Sequence, residues 1–133
     1  MKFLLSDDNQ FLRTAVKKVL QKNYPTAFIE EAKTDSELLV KAFNKNNNWD
    51  LIISNIGSKG LTGVEIIEAL QKTKHIPILI LSAVKLEDYA NFRFIDYISG
   101  FILTDNFLEG LPKVINEILS HSMYSIEQTK IAC

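Results

Sequence analysis

The side chains capable of chemistry in this chain stand just beyond its short apolar runs. Asp7 and Asp8 follow the first run, Asn55 the run LIIS, Ser82 and Ala83 the run ILIL, and Thr104 and Asp105 the run GFIL. Two adjacent carboxylates concentrate negative charge, whereas the carboxamide of Asn55 donates and accepts hydrogen bonds but offers no anionic oxygen. Each position also has a plainer use. Asp7 and Asp8 suit a helix N-cap and its solvated neighbour. Asn55 can satisfy backbone groups at a strand end, and Ser82 can cap a following helix. No Ser/His/Asp set, Gly-rich phosphate loop or Cys-x-x-Cys occurs, so no independent enzymatic motif is present. His75 lies in the loop before Pro77 and His121 follows the last apolar segment, neither with a second ligand at metal spacing.

The elements that must position these residues alternate regularly. Lys2–Ser6 reads as a buried strand. Phe11, Leu12, Ala15, Val16, Val19 and Leu20 recur at three- and four-residue spacing, which predicts one helical face. Asp8 or Asn9 caps that helix, which ends before Pro25 because proline disfavours helix in Tyr24. Ala27–Ala32 is a second strand, and Thr34-Asp35-Ser36-Glu37 is a capping box for a helix over 35–45. Leu51–Ile53 is a central strand, Leu61, Val64, Ile67 and Leu70 mark a third helix, and Ile76–Leu81 a fourth strand. Residues 85–95 form a weaker helix, Gly100–Leu103 a fifth strand, and Phe107, Leu108, Leu111, Val114, Ile115, Ile118 and Leu119 the most periodic helix. Strand–helix alternation with near-continuous apolar strands predicts an α/β fold, a doubly wound parallel sheet covered on both faces. In such sheets function gathers beyond the carboxyl ends of the strands, where the residues above lie.

The totals bound the function. With 133 residues, 47% hydrophobic, the chain suits one domain with its own core. A net charge of -1 supplies no general attraction for nucleic acid or anionic membrane. The one cysteine, Cys133, has no internal partner, so neither an oxidising compartment nor a thiolate metal site is indicated and a cytoplasmic setting is expected. Residues 1–6 are too short for a signal peptide, and no apolar stretch approaches the ~20 residues of a membrane span.

In this order and at these strand ends, the motifs resemble the receiver domains of two-component response regulators, the family typified by the chemotaxis regulator. Asp7-Asp8 matches the acidic pair. Asp50–Glu65 (DLIISNIGSKGLTGVE) matches the segment around the phosphoacceptor, Ser82-Ala83 the Ser/Thr-Ala pair, and Gly100–Thr104 the end of strand five. The resemblance covers residues 1–120 and implies a flavodoxin-like (βα)5 sheet of strand order 2-1-3-4-5. It also implies that carboxylates hold Mg²⁺, that a central aspartate takes the phosphoryl group, and that a lysine and a hydroxyl bind its oxygens. Phe101 stands at the switch aromatic and Ser82 at the switch hydroxyl.

Several departures alter that expectation. The acceptor position is Asn55, which cannot form an acyl phosphate, and the lysine position is Thr104. Ser58-Lys59 replaces the usual Met-Pro. Two carboxylates without a lysine keep the formal charge of -2 that three carboxylates with one lysine would give, so the two losses look matched. Lys59 and Lys85 can neutralise the acids or simply face water. The chain is therefore expected to be a non-enzymatic pseudo-receiver. It would use no cofactor, hold Mg²⁺ only weakly at a vestigial Asp8, and act through a protein partner or self-association over residues 85–119, where Asp88, Arg93 and Asp96 lie. The alternative is a phosphorylatable receiver whose acceptor was changed to Asn55, or is replaced by Asp7 or Asp8. Residues 121–133 resemble the linker preceding a LuxR/NarL-type helix-turn-helix, which would make the module part of a transcription regulator. No recognition helix lies in these residues, so nucleic-acid binding is not expected of this domain itself.

Overall fold

The computed structural model describes residues 1–46, 48–55, 60–83, 85 and 97–120, with backbone alone for 60–64 and 106–108. Five strands run in parallel: β1 (Lys2–Ser6), β2 (Phe28–Ala32), β3 (Leu51–Ser54), β4 (Ile78–Ser82) and β5 (Gly100–Leu103). Their order is β2-β1-β3-β4-β5, the flavodoxin-like order that the resemblance implied. Four helices are described: α1 (Gln10–Asn23), α2 (Asp35–Ala42), α3 (Gly60–Thr73) and α4 (Phe107–Ser120), the last entered through a 3-10 turn at Thr104–Asn106.

The sheet is buried on both faces because successive strand residues point to opposite sides. Leu4, Ile52, Ile78, Ile80 and Phe101 pack with Leu38 of α2 and Ile66, Ile67 and Leu70 of α3. Phe3, Leu5, Ile53, Leu79 and Leu81 pack on the other side with Val16 and Leu20 of α1 and Leu111, Ile115 and Ile118 of α4. Every residue of β3 and β4 is buried, which accounts for their unbroken apolar sequences. Trp49 is buried as well and donates its indole N–H to the Lys41 carbonyl, a packing role.

Local sequence explains the element ends. Asn9, not Asp8, caps α1, accepting from the Leu12 N–H at 3.2 Å. Thr34 caps α2 through the Glu37 N–H, but Glu37 reaches back to the Lys33 N–H rather than to that of Thr34. α2 stops at Ala42, short of residue 45. β4 starts after Pro77, two residues later than expected, because proline cannot donate to the ladder; its carbonyl still accepts from Ile52. His75 follows α3 with φ 55, a left-handed closure in which its N–H joins that of Lys74 on the Leu70 carbonyl.

One predicted face needs correction. Phe11 does not share the buried side of α1; it is 90% exposed, and the buried positions are Arg13, Val16 and Leu20. Leu12, Val16, Val19 and Leu20 do turn inward as the period predicts and Ala15 is half-buried; Phe11 alone is exposed, and Arg13 takes an inward position beside them. The expected helix over 85–95 lies outside the described residues apart from exposed Lys85. So do Ser58 and Lys59, the residues Asp88, Arg93 and Asp96, and the segment 121–133.

Candidate functional site

The strand order reverses between β1 and β3, since the chain moves outward from β1 to β2 and then crosses to β3 on the other side. A crevice opens at such a reversal beyond the carboxyl ends of the strands. Register aligns those ends: Ser6 is opposite Ser54, and Ser82 is opposite Leu103. Asp7 and Asn55 therefore leave neighbouring strands at the same level. Two backbone bonds fix them there, Asp7 N–H to the Ala32 carbonyl and Asn55 N–H to the Ser6 carbonyl, both 3.1 Å.

Asp7 is buried, at 5% exposure, and Asp8 beside it is exposed. One Asp7 carboxylate oxygen accepts from the Asn9 N–H at 2.8 Å; the other accepts from the Asn55 side-chain amide at 3.3 Å. Burial pushes the Asp7 carboxyl above its usual value. The Asn9 and Asn55 donors pull it down, and neighbouring Asp8 pushes it further up. Asp7, Asp8 and Asn55 thus stand together in one constellation. Asp7 is its interior member and Asp8 its solvent-facing one.

Ser82 and Thr104 lie along the same edge, and Phe101 lies inside the sheet. Ser82 is the last residue of β4 and is buried. Phe101 is fully buried among Leu4, Ile52 and Ile80, its ring inside the sheet's α2–α3 side. Thr104 opens the turn after β5 and is half-buried. Ser6 and Ser54, also buried at strand ends, drew no attention in sequence.

Sequence reasoning also missed Arg13. It is 5% exposed, donates to the Asp7 carbonyl at 2.8 Å and to a Glu31 carboxylate oxygen at 3.2 Å. Lys17 reaches the other Glu31 oxygen at 3.3 Å. Burial alone would raise the Glu31 carboxyl, but Lys17 and Arg13 together outweigh it and hold it below the usual range. Arg13 thereby ties the backbone of the acidic pair to the edge strand β2. The available signal was its spacing from Val16 and Leu20, three and seven residues.

The response regulator receiver domain family model matches residues 3–126. The chain belongs to that family. Its receiver fold is shared with the chemotaxis protein CheY of Pseudomonas aeruginosa, 25% identical over 121 residues, which are 89% of this chain and 95% of that protein. Response regulator TrrA of Thermotoga maritima, solved in complex with the histidine kinase ThkA, is 27% identical. That alignment covers 89% of this receiver and 97% of TrrA, with a TM-score of 0.71. A LuxR family DNA-binding response regulator from Silicibacter pomeroyi has the same fold at 20% identity and TM-score 0.72, over 90% and 92% of the two chains. The chain is thus a receiver domain of two-component signalling. No described helix is long and apolar enough to cross a membrane.

Proposed function

We propose that this receiver is a cytoplasmic, non-enzymatic signalling module that works by protein–protein interaction without being phosphorylated. The observation that carries the reading is the contact between the Asn55 amide and the Asp7 carboxylate, 3.3 Å apart. A carboxamide at the acceptor position has no anionic oxygen to attack phosphorus. Its N–H supplies instead a neutral donor to the neighbouring acid. Thr104 in the lysine position gives a hydroxyl where a phosphoryl oxygen would need a cation. Asp7 is a poor substitute acceptor, because it is buried and both its oxygens are engaged.

The donor set fits a magnesium ion poorly. Mg²⁺ requires near-octahedral oxygen ligation and is usually held by carboxylates together with substrate phosphate. Here the Asn55 amide already occupies one oxygen of Asp7 and the Asn9 N–H the other, which leaves Asp8 as the open carboxylate. No group of three or more potential ligands occurs among the described residues. Weak Mg²⁺ binding and no resident cofactor form part of the proposal.

The partner surface we assign to the module is the 85–119 stretch, whose described part is β5 and α4. TrrA meets a histidine kinase; a signalling protein of that kind, or a second receiver, fits a module that keeps its surface and has lost its acceptor. The test is incubation with acetyl phosphate and Mg²⁺ followed by intact mass measurement. The expected spectrum shows the unmodified mass alone. A stoichiometric phosphoryl adduct overturns the reading.

A further inference from the structure

The outward side of α1 carries a feature that the receiver site does not use. Phe11 is 90% exposed, the most exposed large apolar side chain described. It borders a shallow groove that continues along the helix past Thr14, Ala15 and Lys18 to Val19, Lys22 and Pro112 of α4. An aromatic knob and an apolar groove therefore lie end to end on one face. Such a face complements a rotated copy of itself, because an isologous contact sets one patch against the same patch.

The spacing gives the register. Phe11, Ala15, Lys18 and Lys22 follow one another at four, three and four residues, the seam pattern of paired helices, and Asp8 stands just ahead of the Asn9 cap at the amino end. Ala15 sits at the centre, small enough to let two backbones approach. Phe11 and Val19 lie four residues to either side of it; Asp8, outside the helix before its cap, flanks the amino end, and Lys22 lies in the last turn. With two copies antiparallel about Ala15, Phe11 enters the groove beside the partner subunit's Val19, and Asp8 faces the partner subunit's Lys22.

Charge selects this arrangement over a parallel one. α1 contains no acidic residue, and Arg13 and Lys17 are turned toward Glu31. The open face is thus basic at its carboxyl end, through exposed Lys18 and Lys22, and acidic at its amino end, through exposed Asp8. Thr104 adds no cation to offset the acidic end. Parallel helices would set lysine on lysine; antiparallel helices set each lysine end on an acidic end. The Lys18 stem can lie along the partner's Phe11 ring with its ammonium over the ring face.

We propose that this chain self-associates through α1 as an antiparallel two-fold dimer, Phe11 of each copy seated between α1 and α4 of the other. The surface is centred on α1 and shares Pro112 of α4 with the 85–119 stretch, and the proposal holds whether or not Asn55 abolishes phosphorylation. One 14-residue helix per copy buries less than the ~800 Å² per partner of a standard interface, so the dimer dissociates on dilution.

Sedimentation velocity over a concentration series tests it on the full chain. The wild type should shift from monomer toward dimer as concentration rises, and added salt should reduce the shift. Phe11→Ser changes an exposed side chain, leaves the circular dichroism spectrum intact, and should remain monomeric. Asp8→Lys should weaken association, and Asp8→Lys combined with Lys22→Asp should restore it. A wild type that stays monomeric at every concentration overturns the proposal and leaves the face to a different partner. So does a dimer that Phe11→Ser does not disturb. Failure of the double charge exchange to restore association overturns the antiparallel register.

Discussion

Replacing Asp7 with asparagine should make this protein more stable at neutral pH. Asp7 is buried, and burial is the largest influence on its carboxyl, acting to raise the pKa. Asparagine keeps an acceptor for the Asn9 N–H, now 2.8 Å from the carboxylate. The Asn55 amide, 3.3 Å away, can rotate to present its oxygen to the new amide. Two charge-assisted hydrogen bonds become neutral ones, a loss of about 1 kcal/mol each. Against this stands relief from holding an ion out of water, worth several kcal/mol for a buried carboxylate. The net gain is roughly 1 kcal/mol, or about 4 °C in Tm for a domain of this size. The pH dependence follows from the direction of the shift. The folded protein binds the Asp7 proton more tightly than the unfolded chain, whose value is near the ordinary 3.8. The associated stability is fully present below that unfolded value and is lost as pH rises through the higher folded value. The wild type therefore carries its deficit at neutral pH, and the variant, lacking the proton, does not. Thermal unfolding of both proteins from pH 7 down to pH 4 should show a gap that is widest at pH 7 and narrows with acid. A variant less stable at pH 7, or a gap independent of pH, would refute the assignment of burial as the governing influence.

Two further outcomes follow from the same contacts. Asn55→Asp adds a third carboxylate beside two others, so it should lower Tm without metal and recover it with millimolar Mg²⁺, while the wild type shows little response; equal Mg²⁺ responses would contradict the donor-set argument. Arg13→Met leaves the Asp7 carbonyl and the Glu31 carboxylate without their buried donor and should cost about 2–3 kcal/mol in urea denaturation, with Arg13→Lys recovering part. Because the Glu31 carboxyl is held below its ordinary 4.5, its contribution is present above that value and lost as pH falls through the folded one, so the Met variant should also have a flatter acid limb.

The sheet was legible because LIIS and ILILS are buried at every position and are too short and too rich in β-branched isoleucine for a buried helix, the mark of parallel strands covered on both faces. The strand-end residues followed from the alternation, and register brings Asp7 and Asn55 together as the motif order implied. What the sequence concealed were tertiary choices between residues of similar spacing. Periodicity places Phe11 and Arg13 equally well; the protein buries the arginine because Glu31 on β2 and the Asp7 carbonyl wait for it, partners that lie far away or on the backbone. Pro77 is compatible with a strand start, yet the ladder begins only after it. The burial of Ser6 and Ser54 was equally hidden, since small hydroxyls at strand ends look like turn residues until the neighbouring strand is in place.

On the proposed reading, in which Asn55 takes the acceptor position, the Asn55–Asp7 contact accounts for a pocket that is stable without an acceptor aspartate. In a receiver with three carboxylates, the interior acid is next to another anion, and a cation must offset the repulsion. Here the side chain in the acceptor position donates to Asp7 instead, lowering the carboxyl that burial and Asp8 raise. A neutral donor needs no counterion, so the lysine that would balance a third acid has no remaining electrostatic task in the resting pocket, and threonine stands there without a charge penalty. On that reading the two departures are one electrostatic change. Asn55→Asp alone should be less stable than the wild type because it strands an anion, and Thr104→Lys should stabilise that variant more than it changes the wild type, so the two together should exceed the sum of the single effects.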